Sequence, residues 1–282
     1  MTPVLDSHVH VWDLDHGAYA WLGPQHGPLH RSFLPDEAVS TLADAGVPAM
    51  VLVQAEDSLR DTDYLLDVAA RHASVVGVVG WLPLEEPERL ATELAARSGS
   101  ALCGVRQLVH DDPRDDVLDL PPVRRSLDLL AEAGLPLDVP DAWPRHLPGL
   151  PALADVAPDL TLVLDHLGKP PRGTDELDAW AASVRELTRR PHVVAKVSGL
   201  QRPGQPFTAD ALRPVWELAL ECFGPDRLMY GGDWPMTVPA GGYAAHWDVV
   251  RGLVGELGAD EQCAVLSGTA SRVYRTEPPD DF

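Results

Sequence analysis

A single α/β domain folded as a (β/α)8 barrel is what this sequence predicts, on three observations. Eight short apolar segments recur along 282 residues, a length that suits one large domain. Stretches of helical periodicity lie between them, so strand and helix alternate through the chain. The segments are apolar almost without a break, the pattern of parallel strands covered on both faces. A doubly wound open sheet is the rival, but no GxGxxG follows the first segment and GxxxxGK[ST] is absent.

In chain order the segments are 4–11 (VLDSHVHV), 50–54 (MVLVQ), 75–81 (VVGVVGW), 103–109 (CGVRQLV), 135–139 (LPLDV), 160–166 (LTLVLDH), 193–199 (VVAKVSG) and 228–233 (LMYGGD). The first is followed by PDEAVSTLADAG, the second by DTDYLLDVAARH, the third by EPERLATELAARSG and the fourth by PPVRRSLDLLAEAG. LDAWAASVRELTRR follows the sixth and TADALRPVWELALECFG the seventh. Several open on Pro, Asp or Thr and close on Gly, as helix boundaries should. Proline, 27 residues in all, marks many loop starts. Segments 15–33, 140–151 and 201–208 are long enough to act as lids, and 275–282 reads as a frayed tail.

Composition narrows the partners. Lys and Arg number 22 against 43 Asp and Glu, a formal charge of −21 that repels phosphate backbones and anionic lipid. The expectation is therefore no nucleic acid and no membrane, since no run approaches the roughly 18 apolar residues of a span. The N-terminus lacks a signal-peptide pattern, and a cytoplasmic protein is the expectation. Cys103, Cys222 and Cys263 are odd in number and widely spaced, so reduced structural thiols are expected.

Chemistry is expected at the C-terminal ends of the strands, where barrels place their active sites. His8 and His10 are two apart on the first strand and so leave one face at one end. Two adjacent imidazoles suit a divalent metal, although a lone HxH is as readily a pair of hydrogen-bonded structural histidines. Further donors fall where closure predicts them: His166 ends the sixth strand, and Asp233 ends the eighth, beside the first. By strand parity Asp165 points away from His166 and caps a helix or anchors a loop.

Arg106, on the fourth strand, either polarises a substrate group through its guanidinium or pairs with a barrel acid such as Asp138. Lys196, on the seventh, either binds substrate or neutralises a buried Asp. Gln54 and Trp81 end the second and third strands, where an amide and an aromatic face suit a sugar ring, or anchor loops. Trp234 shapes the floor of the mouth, and Trp12 and Trp21 help to wall it. Gly168 and Gly224 supply turns, and Lys169 answers a nearby acid.

The run DSHVHVWD with YAWL, VLVQA with DTDYLL, VVGVVGWLPL, CGVRQL, LVLDHLGKP, KVSGL and FGPDRLMYGGDWPM resembles the amidohydrolase superfamily nearly end to end. The likeness is strongest to its sugar-lactonase-like branch, the L-fuconolactonase and L-rhamnonolactonase type. The resemblance implies a distorted TIM barrel that opens an aldono-1,4- or 1,5-lactone to its acid. It makes Asp233 the general base, with His8, His10 and Asp233 as metal ligands, and His166 and Arg106 beside them. One divalent ion, zinc foremost, is implied, with metal-independent catalysis as the alternative. A lactone substrate and a homo-oligomer complete the expected partners.

Three departures qualify the likeness. DTDYLL fits its counterpart loosely, the fifth strand has no histidine for a binuclear site, and GTASRVY lacks the Asn of that motif. The rival activities are hydrolysis of an aromatic-degradation dicarboxylate lactone and decarboxylation of an aromatic acid. The first calls for more cations than Arg106, Lys169 and Lys196 supply. A binding protein with a degenerate site is the reading from another class.

Overall fold

In the computed structural model, which describes residues 3–276, eight parallel strands run in the sheet order β1 to β8. They are β1 (Leu5–Val9), β2 (Ala49–Val53), β3 (Val75–Gly80), β4 (Leu102–Arg106), β5 (Leu137–Val139), β6 (Leu162–Leu164), β7 (Val193–Val197) and β8 (Leu228–Tyr230). Just beyond β8, a parallel bridge between Val9 and Trp234 closes the barrel. The helices are α1 (Pro35–Asp44), α2 (Leu59–Ala69), α3 (Pro87–Ala96), α4 (Pro121–Ala133), α5 (Leu150–Val156), α6 (Leu177–Leu187), α7 (Ala209–Phe223), α8 (Gly242–Val254), α9 (Ala259–Cys263) and α10 (Thr269–Tyr274). The (β/α)8 prediction stands.

Local chemistry sets these boundaries. Proline opens α1, α3 and α4, where its missing N–H costs nothing. Ser58 and Thr208 cap α2 and α7 by accepting from the N–H groups of Asp61 and Ala211. Gly134 ends α4 in the left-handed conformation.

Alternation along the strands sorts side chains into two layers. Met50 and Leu52 face the helices, whereas Val51 and Val53 join Leu5, Val79, Val163, Val194 and Met229 inside the barrel. From below, α10 adds Ala270, Val273 and Tyr274 to this inner cluster, plugging it.

The strands end earlier than the apolar segments do. β6 stops at Leu164 and β8 at Tyr230, because His166 (φ +56) and Asp233 (φ +51) sit in left-handed turns that no strand accommodates. Of the three expected lids, 15–33 and 140–151 border the principal cavity, but none of 201–208 does. That third segment instead packs on α8, with Phe207 stacked on His246 and Gln201 bonded to it. Of the expected tail, Thr276 is nearly buried and 277–282 lie outside the described residues. Among the described residues no helix is long and apolar enough to cross a membrane.

Candidate active site

The seam between β1 and β8 assembles the reactive groups. The N–H of Asp233 donates to the His8 carbonyl at 2.8 Å and that of His10 to the Trp234 carbonyl at 2.7 Å. Beneath them the Asp6 carboxylate accepts from the N–H groups of His8 and Gly232 at 2.9 and 2.8 Å, and from the Tyr243 hydroxyl at 2.7 Å. Burial pushes the Asp6 carboxyl up to about 7, against these three donors.

His8 Nε2 and His10 Nε2 are 3.1 Å apart, and Asp233 Oδ1 is 3.8 and 3.6 Å from them. The His166 ring stands 4.6 Å from that of His8, its Nδ1 2.8 Å from Ser198 Oγ. Gly199 makes room: at φ +55, a Cβ there would meet His166 Nδ1 at 2.4 Å and Asp233 Oδ2 at 2.8 Å. Burial opposes the charge on Asp233, but His166, His10 and His8 together hold its carboxyl far below the ordinary range.

A layer of buried charge underlies these groups. Lys196 Nζ lies 2.6 Å from Asp138 Oδ2, 3.1 Å from Asp165 Oδ1 and 3.1 Å from His8 Nδ1. The Tyr274 hydroxyl donates to Asp138 at 2.7 Å, tying the plug helix to this layer. Burial disfavours the Lys196 ammonium, yet Asp138 and Asp165 raise it above its usual value. Burial and then Lys196 push His8 well down, keeping its imidazole neutral.

Two assignments made from sequence are corrected here. Asp165 does not cap a helix: β6 ends before it and the chain turns left-handed after it, so its buried carboxylate points into the barrel. Lys196 is wholly buried in that layer and does not reach the cavity. Arg106 does line the cavity. Its Nη2 donates to the Gln54 carbonyl, its Nη1 lies 3.6 Å from Asp165 Oδ2, and its buried Nε–H has no acceptor.

Above lies a cavity of about 380 Å³, within the range of small-molecule sites. His10, His166, Asp233 and Arg106 form its floor, Trp12, Trp21 and Met236 an apolar wall, and His110, Asp111, Asp141 and Lys169 a polar rim. Gln54, Trp81 and Trp234, expected at the substrate, do not line it. Gln54 donates to Asp57, the Trp81 indole to Gln107, and the Trp234 ring packs on Phe33. The expected wall residues, Trp12 and Trp21, are present, Trp21 fixed by donation to the Ala55 carbonyl.

Asp6, Ser198 and Gly199 escaped assignment as site residues although they lie inside the motifs DSHVHVWD and KVSGL. Asp141 and His110 carried no signal beyond their place in loops.

The donor set His8, His10 and Asp233 suits a divalent ion. Zinc–nitrogen bonds of about 2.0–2.1 Å in a tetrahedron separate ligands by roughly 3.3 Å, and the observed separations of 3.1 to 3.8 Å bracket that value. His10 Nδ1 is 2.8 Å from the Val53 carbonyl, a contact that fixes the ring with Nε2 turned toward His8 and Asp233. A second cluster, His8, Asp165 and His166, has comparable spacing. There, however, Lys196 and Arg106 already balance the carboxylate.

Barrel, seam and donor set define a hydrolase-type site at the C-terminal mouth of a (β/α)8 scaffold. The amidohydrolase family model matches residues 5–276, and the chain belongs to that family. It is 33% identical to an L-fucono-1,5-lactonase of Burkholderia ambifaria, over 99% of this chain and 98% of that one. It is 35% identical to an L-fucono-1,5-lactonase of Burkholderia multivorans, over 98% and 97%. A crystal structure of an amidohydrolase from Burkholderia multivorans with bound zinc superposes with a TM-score of 0.88 at 33% identity, covering 98% of this chain and all of that one.

Proposed function

We propose that the protein hydrolyses the lactone of an aldonic acid to the open acid, in the cytoplasm. The observation that carries this reading is the meeting of Asp233, His10, His166 and Arg106 at the floor of one cavity, with His8 buried against His10 and Asp233, in a chain similar over its full length to two L-fucono-1,5-lactonases. One divalent ion, zinc in first place, would be held by His8, His10 and Asp233. Such an ion supplies Lewis acidity that polarises a carbonyl and makes water a competent nucleophile near neutral pH.

The chain's own groups do the rest. Asp233 stays a carboxylate at neutral pH and takes the proton of the attacking water on its oxygen. The same proton can then pass to the ring oxygen as the acyl C–O bond breaks, which balances the hydrolysis. Arg106, whose side chain lines the cavity, stabilises the oxygen that gains charge at the carbonyl carbon. His166, oriented by Ser198, hydrogen-bonds the water or that oxygen. Trp12 and Trp21 meet the C–H face of the ring and exclude solvent.

Charge favours a neutral sugar lactone over a dicarboxylate. Three carboxylates, Asp111, Asp141 and Asp233, line the cavity against two permanent cations, Arg106 and Lys169. The test is pH-indicator turnover of pentono-, hexono- and 6-deoxyhexono-lactones by the wild type and by Asp233→Asn. Selective acid release by the wild type is expected, with a loss of about 10³-fold or more in the variant. Comparable turnover by both would remove Asp233 as the base, and silence of the wild type across the panel would remove the lactonase reading.

A further inference from the structure

Two polar residues on the cavity rim take no part in the chemistry above. Asp141 follows β5 and Lys169 follows β6, and both line the cavity. Lys169 Nζ is 3.6 Å from Asp141 Oδ1, beyond hydrogen-bond range. Asp141 Oδ1 is buried without a hydrogen-bond partner among the described residues, while the side chain as a whole is 31% exposed. The carboxylate therefore keeps acceptor capacity on its exposed side, where it borders the cavity.

The backbone supports the same conclusion. Asp141 (φ +44) and Lys169 (φ +63) are both left-handed, a conformation that non-glycine residues seldom take and that collects at functional sites. Their loops are locked together: the Trp143 N–H donates to the Gly168 carbonyl at 3.0 Å, and the Lys169 N–H to the His166 carbonyl at 2.9 Å. The pair is thereby held at a fixed offset from His166 and the reacting end.

Resting on the lactonase reading, we propose that Asp141 and Lys169 clamp two hydroxyls on neighbouring carbons of the substrate. One hydroxyl donates to the exposed side of the Asp141 carboxylate, and its neighbour accepts from Lys169 Nζ. At 3.6 Å the acid and the ammonium pair without a direct hydrogen bond, which leaves donor and acceptor capacity on each for a different oxygen. The clamp takes a neutral vicinal diol and repels a carboxylate from Asp141. It therefore sets selectivity for polyhydroxylated lactones and reaches no reacting bond.

The experiment compares the wild type with Lys169→Met, Asp141→Gly and the double variant. Glycine suits the left-handed backbone at 141, so that substitution removes the carboxylate without adding strain. Two quantities are read. The first is the ratio of kcat/KM for a hydroxylated aldonolactone to kcat/KM for the unsubstituted lactone of the same ring size, γ-butyrolactone or δ-valerolactone. The second is calorimetric affinity for the matching polyhydroxylated lactam, which is not turned over.

Each single variant is expected to lower the ratio and the lactam affinity at least tenfold, with the double variant losing less than the product of the two. A ratio and an affinity within twofold of wild type overturn the clamp, as does an equal loss for both lactones. If the wild type turns over no lactone yet its lactam affinity falls in the variants, the clamp stands and the proposed reaction fails. If lactones turn over and selectivity is unmoved, the reverse holds.

Discussion

Replacing Lys196 with Met separates a group that touches substrate from one that neutralises the barrel interior. The side chain is fully buried, with Nζ 2.6 Å from Asp138 and 3.1 Å from Asp165, both also fully buried. Methionine keeps the length and removes the charge, leaving two carboxylates without their shared cation. Removing one partner of a buried pair costs about 3–5 kcal/mol, and that range applies here because Asp138 loses its cation while Asp165 keeps only Arg106, 3.6 Å away. The loss should depend on pH with a known sign. Burial already lifts the Asp138 carboxyl to about 7 against the pull of Lys196, and without that cation both Asp138 and Asp165 shift upward, so the variant loses further stability as pH rises. Urea unfolding followed by far-UV circular dichroism at pH 5.5, 7 and 8.5 should show the deficit growing with pH. Adding Asp138→Asn to the variant should restore about 1–3 kcal/mol, because one stranded charge is gone. A destabilisation below about 1 kcal/mol at pH 7, with the change confined to KM, would refute the buried-charge argument and return Lys196 to the substrate.

Other outcomes are fixed by single distances or shifts. Gly199→Ala should lower turnover about 10²-fold or more with a stability loss of about 1–2 kcal/mol, since its Cβ would stand 2.4 Å from His166 Nδ1 at φ +55; kinetics and thermal unfolding check both. His246, buried and pushed down to about 4, resists a proton that the unfolded chain takes up near 6.5. Stability should therefore fall by about 3 kcal/mol as pH drops from 7 to 4, and His246→Gln should flatten that part of the urea-midpoint profile. Metal analysis of protein purified without chelator should find about one divalent ion per chain, and none with His10→Ala. Stripping the ion should lower the thermal midpoint, reversibly on adding zinc, the lost stability being about 3 kcal/mol relative to zinc at 100 times its dissociation constant.

Much of this site was legible in the sequence because strand parity and barrel closure are rules about position alone. HxH on the first strand and Asp233 on the last must meet if eight parallel strands close, and they do, at 3.6 and 3.8 Å. Parity failed where the chain left strand geometry. Asp165 was turned outward by counting from His166, but β6 had already ended and the turn at His166 carries both side chains to the barrel mouth. Gln54 and Trp81 failed for another reason: residues at a strand's last position serve the next loop as readily as the cavity. Both are taken up by Asp57 and Gln107, partners on loops whose approach no local pattern encodes. Lys169 was expected to answer a nearby acid, but Asp141 as that acid was invisible because the 27 intervening residues hold a helix and a strand, and only the tertiary fold brings the two to 3.6 Å.

The position of the buried charge explains why the seam can hold a neutral His8 imidazole beside a carboxylate. Nearby acids favour a proton on His8, and a protonated imidazole cannot ligate a metal. Burial and the Lys196 ammonium, 3.1 Å behind His8 Nδ1, work against that proton. Lys196 can remain charged there only because Asp138 and Asp165 flank it. Asp138 in turn is held by the Tyr274 hydroxyl from the helix that plugs the opposite end of the barrel. The chain's last described helix thus bears on the chemistry of its first strand through Tyr274, Asp138 and Lys196, with a charge-bearing hydrogen bond or ion pair at each step. On this account, substitutions at Asp138 or Tyr274, remote from the cavity, should act on His8 before they act on substrate.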